Sequence, residues 1–147
     1  MKKLNPLVLF TALIFIGNIC CKPEKGDCHK TISFINNSEK AIYVSRDTHY
    51  PDTLYFGHFS SPALNSSFNK ILGEMSSDRP LQNRDCWEDD FDYDALIPSD
   101  TLMVYVFDAQ VLESVPWSTV VHDYLVLKRY DLSLSDLVNM NWTIIYP

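Results

Sequence analysis

The residues best suited to chemistry fall in three places along this chain. The densest is an acidic run, Asp85, Glu88, Asp89, Asp90, Asp92 and Asp94. Asp90-x-Asp92-x-Asp94 imitates the opening of a calcium loop, where alternate carboxylates point oxygens at one hard cation. The imitation ends where such a loop is strictest, because the positions for Gly and the bidentate Glu hold Ala95 and Thr101. Trp87, Phe91 and Tyr93 interleave the acids, so a half-buried segment with one solvated face explains the pattern better, and no metal is expected. The second place is Lys128-Arg129-Tyr130-Asp131. Arg129 with its aromatic neighbours could grip an acidic peptide or a sugar. The structural reading, which we favour, pairs Arg129 with Asp131, Asp108 or a helix C-terminus. The candidate ligand contacts are thus Lys128, Arg129 and Tyr130.

The third is the set of histidines, His29, His49, His58 and His122, which lacks the spacing of a zinc site. Ser118 and His122 lie four apart on an expected helix. No strand–elbow motif surrounds Ser118, however, and Asp123 would face away from His122 on a helix, so a hydrolase triad is not expected. Four glycines in the whole chain leave no phosphate-binding loop. These residues predict neither an enzyme nor a cofactor.

Cysteine placement says more. Lys2 and Lys3, the apolar run Leu7 to Ile19, and Cys20-Cys21 follow the layout of a secretory signal ending in a lipoprotein-like cysteine. The run of roughly 13 residues is short of the ~20 that cross a bilayer core. Cys21 is the expected lipidation site, with Cys20 the alternative, because Cys20 is a small residue at the cut and Ile19 is bulky. Segment 1–21 then reads as signal, 22–30 as tether and 31–147 as one β-rich domain. Beyond the signal stand Cys28 and Cys86, an even pair that an oxidising compartment would bridge. The alternative is two separate thiols. Bridging would close a loop of ~60 residues, about 4 kcal/mol in the chain-entropy model.

Charge sets the partner class. The chain has 12 Lys and Arg against 19 Asp and Glu; without Lys2 and Lys3 the balance moves from −7 to −9. So acidic a domain is a poor match for nucleic acid or for anionic membrane surfaces. The expected membrane link is the lipid anchor.

The elements that must position these residues are mostly strands. Thr31 to Ile35, a turn at Asn36-Asn37-Ser38-Glu39, and Ala41 to Ser45 read as a β-hairpin. Thr53 to Phe56 reads as a short extended piece, Phe68 to Met75 as a helical turn or irregular strand, and Trp87 to Phe91 as a short helix. Leu102 to Phe107 is a continuous apolar run of β-formers, as in a central strand. Pro116 opens a helix carrying Trp117, Val120, Val121 and Tyr124 at helical spacing, and Leu125 to Tyr130 reads as a strand. Ser133 and Asp136 form a capping box for a helix burying Leu134, Leu137 and Val138. Trp142 to Tyr146 is a last strand.

The predicted fold is mainly β: an antiparallel sandwich-like domain, loosely immunoglobulin-like, with two or three short helical connections. An open α+β sheet is the runner-up. Phe34, Ile42, Val104, Val106, Trp117, Val121, Leu125, Leu137, Trp142 and Ile144 should form the core. Tyr43, Tyr50, Tyr55, Phe56 and Phe59 either fill a sandwich edge or present rings to a ligand.

The stretch Tyr124 to Leu137, followed by Asn141 to Pro147, resembles small Bacteroides-type envelope lipoproteins of unknown function. Tyr50-Pro51-Asp52-Thr53, Cys86-Trp87-Glu88, Phe107-Asp108 and Pro116-Trp117 share in that resemblance. It implies envelope localisation, a compact β-rich domain and no assigned reaction; the expected address is an outer-membrane lipoprotein, on the periplasmic side or the cell surface. The expected function is non-catalytic: binding or assembly with an envelope protein. The alternative is a carbohydrate- or calcium-binding module.

Overall fold

The computed structural model describes residues 28–51, 60–93 and 96–147. The signal with Cys20 and Cys21, the extended piece at Thr53 to Phe56, and Asp94 lie outside the described residues. Seven strands are present among those described: β1 (Ser33–Asn36), β2 (Ile42–Asp47), β3 (Lys70–Ile71), β4 (Met75–Ser77), β5 (Leu102–Asp108), β6 (Lys128–Leu132) and β7 (Thr143–Tyr146). Four form an antiparallel sheet in the order β3-β2-β5-β6, and three form a second sheet in the order β4-β1-β7. The fold is mainly β and sandwich-like, with β1 and β7 parallel.

β5 explains the arrangement. Side chains alternate across a strand. Leu102, Val104 and Val106 enter the core between the two sheets, with Phe34, Ile42, Val44, Leu137, Trp142 and Ile144. Met103, Tyr105 and Phe107 enter a second cluster on the other face. Its cover comes from α3 (Ala109–Ser114) and α4 (Trp117–His122), which bring Leu112 and Val120. A strand buried on both faces has no polar alternation, so its continuous apolar run follows from its place in the middle.

Three expectations about elements are corrected. β1 and β2 do not form a hairpin; they belong to different sheets. The turn between them crosses from sheet to sheet around Asn36, which is 0% exposed. Its amide donates to the carbonyls of Lys40 (2.8 Å) and Leu72 (3.0 Å), and its oxygen accepts from Ser38. The side chain thereby satisfies groups that a hairpin ladder would pair. Gly73 seals the crossing, since a Cβ there would stand 2.2 Å from the Glu39 carbonyl oxygen.

Helices are also more numerous than expected. Besides α3 and α4 there are α1 (Ser66–Asn69), α2 (Trp87–Asp92) and α5 (Leu134–Asn139). α3 has no counterpart in the sequence reading. Asp108 caps it by accepting from the Gln110 and Val111 amides, a role Asp fills well directly after a strand. The capping box of α5 forms with Ser133 and Asp136.

The third correction concerns burial. Leu125 is 37% exposed and Val138 57% exposed, while Trp117 and Val121 are only partly buried. Tyr124 leaves the helix in a left-handed turn at φ 51°, so the strand begins at Lys128 rather than Leu125. Among the described residues no helix is long and apolar enough to cross a membrane.

Candidate functional site

Two polar regions stand out. The first is the corner where the described chain begins. Cys28 and Cys86 are joined by a disulfide, Cα to Cα 5.1 Å. Residues 28–30, read from sequence as the end of the tether, are bound into the domain. The His29 carbonyl accepts from Trp87 N–H at 2.8 Å, and that of Lys30 accepts from Asn83 N–H at 2.7 Å. The His29 ring stacks on Trp142, centroids 4.2 Å apart and 12° from parallel. Its Nδ1 lies 2.5 Å from Glu88 Oε1, and its backbone N–H donates to the same carboxylate. Burial pushes the Glu88 carboxyl up, but the hydrogen bonds from His29 outweigh it and hold the group below the usual glutamate range.

Beside the bridge lies a groove of about 550 Å³, lined in part by Lys30, Asp85, Asp89, Asp90 and Asp92. Asp90 accepts from Asn83 Nδ2 at 2.6 Å. Arg46 packs its guanidinium 4.6 Å from the centre of the Trp87 ring, and burial lowers its pKa against the pull of Asp90. Among the described residues, no three His, Cys, Asp or Glu side chains converge as metal ligands. Of the calcium-like triplet, Asp90 and Asp92 lie on α2 and Asp94 falls outside the described residues.

The second region is the outer face of β6. The pleat divides the sequence-predicted trio: Lys128 and Tyr130 point to one face of the strand and Arg129 to the other. Tyr130 packs against the inter-sheet core and donates its hydroxyl to the Ile145 carbonyl at 2.9 Å. Lys128 Nζ lies 5.6 Å from the Tyr130 ring centre. Arg129 makes a two-pronged contact with Asp131, Nε to Oδ1 2.5 Å and Nη2 to Oδ2 3.0 Å. Of its three proposed partners, Asp131 is the one found.

The Arg129 guanidinium also sits 5.7 Å from the ring centre of Tyr50 and 5.9 Å from that of Tyr105. Tyr50 and Tyr124 are exposed at 39% and 43%, whereas Tyr43, the expected companion of Tyr50, is buried under a hydrogen bond to Glu113. The bond to Asp131 raises the Arg129 pKa further, and burial pushes the Tyr105 hydroxyl up to about 12. Both groups hold their protons at neutral pH. The arrangement gathers fixed donors, a carboxylate and aromatic faces around Arg129.

No protein-family model matches this sequence, and no curated protein or solved structure matches it either. The chain's own residues therefore carry the functional reading.

Of the remaining histidines, the two among the described residues settle beside carboxylates. His49 Nδ1 is 2.7 Å from Asp47, and His122 Nδ1 is 2.6 Å from Asp123. The latter corrects the expectation that Asp123 faces away: Asp123 caps the C-terminal end of α4 and lies just beyond its last helical residue, His122. His58, Tyr55, Phe56 and Phe59 lie outside the described residues. Sequence reasoning missed the His29–Glu88 pair and the rings around Arg129. The Arg129–Asp131 pair, by contrast, was expected, since residues two apart on a strand share a face.

Proposed function

We propose that this chain is an envelope lipoprotein whose domain is a non-catalytic protein-binding or assembly module. The observation that carries the reading is the Cys28–Cys86 bridge. Structural disulfides persist in oxidising compartments, and this one follows directly on a segment written like a lipoprotein signal. Lipidation at Cys21, or at Cys20, would leave about six residues before the bridge, a reach of ~20 Å at full extension. The acidic domain would stand close to the membrane and be repelled by its anionic face, which favours a membrane-proximal protein partner. Its polar groups support the same reading: His29 with Glu88 and Arg129 with Asp131 are paired to hold surfaces in shape.

In-cell cross-linking of the tagged full chain, with mass spectrometry of the envelope fraction, tests this. One reproducible envelope protein is the expected product. Turnover of a substrate by the purified chain, with nothing cross-linked, would sink the reading. A second reading, carbohydrate binding, draws on exposed Tyr50 and Tyr124 beside the Arg129–Asp131 pair, since sugars stack on rings and bond to planar charged pairs. Blank glycan arrays would remove it.

A further inference from the structure

We propose that β6 is the docking edge for a second copy of this chain, paired antiparallel about a two-fold axis at Tyr130. β6 ends the four-stranded sheet; among the described residues its strand neighbour is β5, and its other side carries no strand. Such an edge presents a row of backbone donors and acceptors that template a further strand. The side chains of β6 say which strand fits. With Tyr130 on the axis, Arg129 of each copy faces Asp131 of the other, and Lys128 faces Leu132. Directly opposed residues on one face of an antiparallel pair interact, favourably when their charges are opposite.

Arg129 and Asp131 are already joined within one strand, so two copies place four charges in alternation around a square. Moving the axis to Arg129 or to Asp131 sets like charges face to face, so the charges select the register. Arg129 is held ready for this by Asp131 and by the rings of Tyr50 and Tyr105. A group ordered beforehand loses little freedom on binding. The interface is isologous, as expected of a closed dimer, and joins two four-stranded sheets into one continuous sheet. It stands on the strand edge alone and holds whichever envelope partner the domain takes.

The test uses full chains carrying two different tags, purified in detergent. Wild type should capture wild type. R129D makes the edge acidic and D131R makes it basic, so each should lose self-capture. Mixed together, R129D and D131R should capture one another, because both opposed pairs at positions 129 and 131 are then Asp facing Arg. Amide exchange of the wild type provides a measurement free of substitution: residues 128–132 should slow as concentration rises. If either reversal prevents folding, that exchange decides alone. Self-capture that survives both reversals, or exchange along β6 that is independent of concentration, overturns the proposal.

Discussion

The Cys28–Cys86 corner and the β6 edge are built on opposite plans. At the corner, residues far apart in the chain meet through a covalent bond, a stacked His29–Trp142 pair and the buried Trp87. At β6, neighbours two positions apart meet through charge on a partly exposed strand. The first plan stabilises, because buried area and a shortened unfolded chain both favour the native state. The second contributes little to stability, because exposed ion pairs are weakened by water and salt. A region that adds little to stability while keeping its geometry is suited to meeting something else.

The largest expected effect lies at the corner. Trp87 is 1% exposed, donates its indole N–H to the Leu81 carbonyl at 3.3 Å and supports Arg46. Trp87→Ala should cost about 3–5 kcal/mol, read from urea denaturation; a loss under ~1 kcal/mol would mean the corner is not part of the core. Removing the bridge comes next. Cys28→Ser with Cys86→Ser should cost about 2–4 kcal/mol by limiting the unfolded chain less. If the serine pair melts at the wild-type temperature, the two regions do not differ in kind.

How far sequence could reach follows the same division. Local rules succeeded where one segment decides the outcome. Ser133 and Asp136 made their box, α2 began at Trp87, and the run at 102–107 took the central position. Rules failed where a distant residue decides. The turn at 36–39 announces a reversal, but only Leu72 and Gly73, brought from elsewhere, make it a crossing between sheets. Leu125 and Leu127 read as strand interior, yet the turn at Tyr124 leaves both exposed. For the site, alternation along Lys128-Arg129-Tyr130-Asp131 was legible and pairs Arg129 with Asp131. The rings of Tyr50 and Tyr105 come from other segments, and no spacing reveals them.

Acid sharpens the comparison at intermediate magnitude. Glu88 titrates below its ordinary value because His29 bonds its charged form. A carboxyl depressed in the folded state adds stability above its unfolded pKa of about 4.3 and loses it as pH falls through the lower folded value. Glu88→Gln should therefore destabilise on the order of 1 kcal/mol at pH 7, discounted for exposure. The gap from wild type should close as pH drops below that range. A gap of constant size down to pH 2 would assign the loss to packing instead of charge.

The smallest expected effect on folding comes from Asp131→Asn, and it separates the two plans most cleanly. Asp131 is 40% exposed in its side chain and contacts Arg129 along the strand. Removing its charge should change unfolding free energy by about 0.5 kcal/mol or less, within the range of ordinary surface substitutions. The same change takes both acids out of the alternating square and leaves two arginines facing neutral amides. Self-capture should weaken while the melting curve stays nearly in place. Were Asp131→Asn to unfold the domain as Trp87→Ala does, the ion pair would be a structural clasp, and β6 would belong with the corner.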